Sequence, residues 1–152
     1  MTYNDLLVEA DSLGLEVLDN ENIGRFKGLC IDKTISLSCE IETTKEKKCI
    51  IAEEIGHYKT TYGNILNQND LQNVKEENKG KAWAYEKLVN FDDLIKAYKS
   101  GVKSRYELSI FLEITEKFLI NAIKYYRGKY GIYHIYKNVI IYFEPLGILE
   151  RS

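Results

Sequence analysis

Two acids and an imidazole stand close together in an otherwise apolar stretch, Cys49-Ile50-Ile51-Ala52-Glu53-Glu54-Ile55-Gly56-His57-Tyr58. A packed helix should exclude such groups, because burying an ionised side chain without a partner is costly. Thr43-Thr44-Lys45-Glu46 supplies a capping box just before it, so the stretch reads as a helix running to about Thr60. Residues four apart on a helix share a face. Glu53 and His57 can therefore point at one ion, while Glu54 lies beside that ion without binding it. This is the arrangement of the zincin motif H-E-x-x-H, in which ligands at i and i+4 flank a general-base Glu at i+1. Here Glu replaces the first His. Imidazole nitrogen and carboxylate oxygen are acceptable zinc ligands, and a divalent ion acidifies water so that a nearby carboxylate can take its proton. Surface helices also carry Glu pairs and a chance His, so these five residues alone leave solvated acids as an open reading.

Those residues must be positioned by their surroundings. Leu6, Leu7, Ala10 and Leu13 form an apolar stripe at helical spacing over residues 2–13, with Gly14 placed as a terminating glycine. Short β-like pieces follow at 15–18, 28–31 and 35–37, separated by turn residues, and are expected to form a small antiparallel sheet. After the Glu53–His57 helix, the polar residues 62–73 read as a loop with a turn at Gly63-Asn64, and a second helix is expected over 75–88. Asn90 reads as an N-cap with Asp92 and Asp93 in the first turn, and Gly101 ends that helix. Ser104-Arg105-Tyr106-Glu107 is a further capping box, and a third helix opens near Thr115 and buries Phe118, Leu119, Ala122, Ile123 and Tyr126. Residues 133–143 are β-rich, with Lys137-Asn138 at a hairpin turn.

The chain has 152 residues, 45% hydrophobic and 29% charged, enough to bury a sizeable core. Up to Val89 there are 11 Lys and Arg against 16 Asp and Glu; from Asn90 onward the counts are 10 and 7. That polarity suggests two parts, a core at 1–89 and a helical segment at 90–152, although the second is too weakly basic to announce a nucleic-acid binder. Cys30, Cys39 and Cys49 are odd in number and lack CxxC spacing, which argues against a disulfide framework or a thiolate zinc site. No apolar run approaches a membrane span, residues 1–5 lack the start of a signal peptide, and a cytoplasmic location is expected. Neither G-x-x-x-x-G-K-[ST] nor G-x-G-x-x-G occurs, so nucleotide binding has no support. His134 reads as structural and Cys49 as a small core residue.

Twenty residues after His57 comes Glu77-Asn78-Lys79-Gly80-Lys81-Ala82-Trp83-Ala84. Taken with Ala52-Glu53-Glu54-Ile55-Gly56-His57-Tyr58, it resembles the ImmA/IrrE family of metallopeptidases, particularly its small prophage-borne members. In that family a helix-borne H-E-x-x-H is followed by E-x-x-A-[ND]-x-[FW]-A, whose Glu is the third metal ligand. The resemblance implies Glu77 in that role, beside Glu53 and His57, with Glu54 as general base. The chain departs from the family at Glu53 for His, Gly80 for Ala and Lys81 for Asn or Asp. The likeness runs on through Phe91 to Gly101 and through Thr115-Glu116-Lys117-Phe118-Leu119, so it covers most of the chain from about Gly28 to Gly147. It implies an α+β fold: a zincin-like domain with helices packed on a small sheet, then a helix-turn-helix-like segment and a β-hairpin. It further implies a cytoplasmic metal-dependent endopeptidase that cleaves a helix-turn-helix transcriptional repressor of a prophage or mobile element. The expected cofactor is Zn2+. Exchanging a neutral His for an anionic Glu weakens the Lewis acidity of the centre and favours harder ions such as Mn2+.

The helices near 105–113 and 116–129 also suit a helix-turn-helix with the hairpin as a wing, and Lys117, Asn121, Lys124 and Arg127 would then face DNA. Glu113 and Glu116 would oppose phosphate. The competing reading is a regulator of the same fold that has lost catalysis and binds a repressor or DNA. Tyr58 and Tyr62 are candidates for an oxyanion donor or general acid.

Overall fold

The computed structural model describes residues 1–61 and 70–151, with side chains for 1–60 and 77–151. The chain is α+β and divides into two compact units, Met1–Leu88 and Val89–Ser152.

In the first unit, α1 (Tyr3–Ser12) is opened by Thr2, whose hydroxyl accepts the Asp5 N–H while the Asp5 carboxylate accepts the Thr2 N–H. This reciprocal cap satisfies two donors that a helix start otherwise leaves open. Three strands follow: β1 (Glu16–Glu21), β2 (Gly28–Ile31) and β3 (Thr34–Ser38). The two-residue Asp32-Lys33 turn, with Asp32 at a left-handed φ of 54°, folds β2 back on β3 as an antiparallel hairpin. The sheet is not antiparallel throughout, however. Its order is β1-β3-β2, and β1 pairs with β3 in parallel. Residues 22–27 carry the chain past β3 before β2 begins, so β1 ends up beside the third strand and not the second. Apolar alternation within a strand says which face is buried, not which neighbour it takes.

Ile35 and Leu37 of β3 are fully buried, as are Leu6 and Ala10 of α1. They meet α2 (Thr44–Thr61), whose Ile51, Ala52 and Ile55 are also fully buried. Each such Leu or Ile contributes roughly 1.5–3 kcal/mol of apolar burial. Thr43 caps α2 by accepting the Glu46 N–H at 3.2 Å. The partner of α2 is α3 (Asp70–Leu88), and these two helices pack together more extensively than any other pair of elements. Residues 70–73, read from sequence as the end of a loop, are the first turn of α3. Their polarity is that of a helix start and not of a break. The expected turn at Gly63-Asn64 lies outside the described residues.

The second unit opens with α4 (Phe91–Lys99), capped by Asn90, then α5 (Arg105–Leu112), capped by Ser104. Glu113 takes a left-handed conformation, Ile114 is buried, and Thr115 caps α6 (Glu116–Tyr130). The strands β4 (Tyr133–Tyr136) and β5 (Val139–Phe143) form the expected hairpin across Lys137-Asn138. A further strand, β6 (Leu146–Glu150), completes an antiparallel sheet of order β4-β5-β6. Pro145 and Gly147 punctuate that segment, which hides it from a search for alternating runs. The tyrosines largely pack: Phe91 lies 4.9 Å from the Tyr126 ring and 5.3 Å from Tyr136, and His134 lies 4.1 Å from Tyr130. Such aromatic pairs add to the burial of their area.

Candidate functional site

The approach of α2 to α3 is set by two glycines. A Cβ on Gly56 would collide with the backbone carbonyl of Gly80. Conversely, a Cβ on Gly80 would lie 2.8 Å from the His57 nitrogen and 2.9 Å from its Cα. The helix backbones therefore touch at His57, and Gly80 is required there. Gly80 and Ala84 face inward on α3. Glu77, one turn before Gly80, is carried to the same crossing by helical spacing.

A third close approach fixes the acid beside His57. The β2 strand lies at the edge of the sheet and passes over α2. A Cβ on Gly28 would be 3.2 Å from Cγ of Glu54 and 3.3 Å from its Oε1. Glu54 is thus held under the edge strand, half-buried, between the apolar face of α2 and solvent. Its carboxyl is pushed up to about 7, chiefly by burial and then by the negative charges of Glu53 and Glu77. The same crowding reaches its neighbours. The Cys30 thiol on β2 is raised to about 11 by burial, then by Glu54 and Asp32. Tyr85 on α3 is raised by burial and then by Glu53.

The fold thus brings Glu54 within electrostatic reach of both Glu53 and Glu77. His57 shares the α2 face of Glu53 by its i+4 spacing. Glu77 itself is exposed and pairs with Lys81 across one helical turn at 3.7 Å. Among the described residues, no three His, Cys, Asp or Glu side chains converge as a metal cage. The donor types nonetheless suit a divalent cation, since two carboxylates and an imidazole are acceptable ligands. Tyr58 is half-buried, and Tyr62 lies outside the described residues.

Trp83 serves α3 as a platform. The Lys59 ammonium sits 4.8 Å and that of Lys87 5.7 Å from its ring. Both cations also reach Glu9 of α1, at 3.1 Å and 3.4 Å. One acid on α1 thereby ties α2 to α3 just beyond the glycine crossing.

On α6, Lys117, Lys124 and Arg127 are exposed and Asn121 is half-buried. Arg127 is engaged by Glu144 at 2.9 Å, and Glu116 by Arg105 at 3.8 Å. Sequence reasoning missed Gly28, Cys30 and Tyr85 as neighbours of the acids. Gly28 carried a signal, since glycine inside a strand often marks a close approach by another group. Among the described residues, no helix is long and apolar enough to cross a membrane. Compared with protein-family models, curated proteins and solved structures, the chain matches none.

Proposed function

We propose that the chain is a metal-dependent endopeptidase of ImmA/IrrE type, with a zincin-like first unit and a helix-turn-helix-like second unit. The observation that carries this reading is the placement of Glu54, a half-buried acid beneath an edge strand whose carboxyl, in the metal-free protein, is raised to about 7 first by burial and then by Glu53 and Glu77. A general base works best when its pKa lies near the operating pH. Glu53, His57 and Glu77 would hold Zn2+, or a harder ion such as Mn2+, and the bound ion supplies Lewis acidity toward water and the peptide carbonyl. Glu54 takes the proton from the attacking water and returns it to the departing amine. The β2 edge suits an extended substrate segment, which would add as a further strand and lie across Glu54. By the resemblance, that segment belongs to a helix-turn-helix repressor of a prophage or mobile element, and the protein acts in the cytoplasm.

The test is metal content, measured by elemental analysis on protein purified without a metal-binding tag. About one zinc or manganese per chain is expected, lost in both His57→Ala and Glu77→Ala. Glu54→Gln should retain the metal yet lose repressor cleavage by about 100-fold or more.

One observation favours a second reading. Glu77 is turned to Lys81, and the described side chains do not converge as ligands. On that reading the fold is a non-catalytic scaffold that binds a repressor, or binds DNA through Lys117, Asn121, Lys124 and Arg127. Substoichiometric metal that ignores both mutations, with partner binding intact in Glu54→Gln, decides for the scaffold.

A further inference from the structure

Within the second unit, a cavity of about 450 Å3 opens between α4, the start of α5, α6 and the β5–β6 turn. Pockets for small ligands typically span about 300–1,000 Å3 and are mainly apolar with a few placed polar groups. The walls fit that description: Leu94 of α4, Ile123 of α6, Phe143 of β5 and Ile148 of β6 all line it. Its charged groups are strongly biased in sign. Lys103, Arg105, Lys124 and Arg127 line it against a single acid, Glu144. Glu144 is taken up by Arg127 at 2.9 Å, and Arg105 is paired with Glu116 at 3.8 Å. Lys103 and Lys124 have no ion-pair partner among the described residues, and both are exposed.

We infer that this cavity binds a small amphipathic anion, an apolar chain or ring ending in a carboxylate. The apolar walls would remain wet around inorganic phosphate or any other fully polar anion. A cationic amphiphile would be repelled by the two lysines, and a neutral one would gain no attraction from them. An anionic head between Lys103 and Lys124 satisfies both while its apolar body covers Ile123 and Phe143. The site is separate from the acids of the first unit, and the inference does not rest on the proposed peptidase chemistry.

The experiment is a calorimetric titration of the full chain with decanoate, 1-naphthoate, decanol and decyltrimethylammonium, each below its micellar concentration. At least one of the two carboxylates should saturate at one per chain; which one does so separates an aliphatic from an aromatic ligand. Decanol should bind at least tenfold more weakly, and the ammonium should not bind. The double charge reversal Lys103→Glu/Lys124→Glu should weaken the carboxylate by roughly tenfold or more. It alters only exposed side chains, so the fold should persist by circular dichroism. Ile123→Trp should fill the cavity and abolish binding. Failure of both carboxylates to saturate overturns the inference, as does equal binding of all head groups or full affinity in the charge-reversed protein.

Discussion

In the first unit, charged groups are pressed between elements. Lys48 retains 3% exposure, Glu9 is shared by Lys59 and Lys87, and Glu54 lies under β2. In the second, Ser109 is the buried polar residue among those described, and the interior is built from Phe118, Leu119, Tyr126, Phe143 and their neighbours. The second unit lines an apolar cavity with four of its cations, whereas the first holds the acid Glu54 beneath an edge strand beside a helix crossing. Burying charge opposes folding unless another gain offsets it. The offset in the first unit is the tight α2–α3 contact and the fully buried apolar face of α2. Crowding that stability alone does not require is where chemistry is to be sought.

Glycine gives the widest expected separation between the two units. Gly56→Ala forces α2 and α3 apart and should lower stability by about 3 kcal/mol. Gly128 lies on the exposed side of α6, and a Cβ there meets nothing within 4 Å. Gly128→Ala should therefore raise stability by about 0.5–1 kcal/mol, the ordinary helical preference. Urea melts of the two variants measure both. Similar effects at the two sites would mean that the glycine crossing does not govern the first unit.

A smaller effect is expected within the second unit. The Tyr126 hydroxyl donates to the Val89 carbonyl at 2.7 Å, in a buried environment. Tyr126→Phe preserves the ring packing against Phe91 and Phe143 but orphans that carbonyl. A loss of about 1–1.5 kcal/mol should appear in the same melts. A neutral result would show that water reaches Val89, and the second unit would be less dry than its aromatic packing implies.

Local signals in the sequence were the ones that carried through. Thr43, Asn90, Ser104 and Thr115 accept the N–H groups that their positions implied, because a cap is decided within four residues. Pairing that depends on distant residues was not legible. The β1–β3 parallel pair and the β6 strand follow from how the chain is routed, which apolar alternation does not encode. At the candidate site, the shared face of Glu53 and His57 followed from helical spacing, and so did the position of Glu54 beside them. Three features did not: the strand laid over Glu54, the backbone contact that requires Gly80, and the Lys81 side chain that takes up Glu77. Each depends on a partner from another element or on a rotamer, neither of which a motif specifies.

The placement of Glu54 can be examined without any substrate or metal. Cys30 sits on β2, and its thiol is raised from 9.0 to about 11, first by burial and then by the charge of Glu54. Thiolate is the form that reacts with iodoacetamide. So basic a thiol holds about 100-fold less thiolate at a given pH than an ordinary one, and the greater nucleophilicity of that thiolate restores roughly tenfold. In chelator-treated protein at pH 8, Cys30 should thus be labelled about tenfold more slowly than an ordinary thiol. Exposed Cys39 serves as the reference within the same chain. The sign of the Glu54 contribution is fixed: a neighbouring carboxylate disfavours the thiolate only while it is ionised. Glu54 loses its proton around pH 7, so Glu54→Gln should speed Cys30 labelling a few-fold above that pH and leave it unchanged well below. Site-resolved mass spectrometry across pH 5.5–9 reads both arms. Equal Cys30 rates in the two proteins at pH 9 would mean that the Glu54 charge does not reach the thiol on β2, and would weaken the contrast between a first unit arranged around acids and a second arranged around an apolar core.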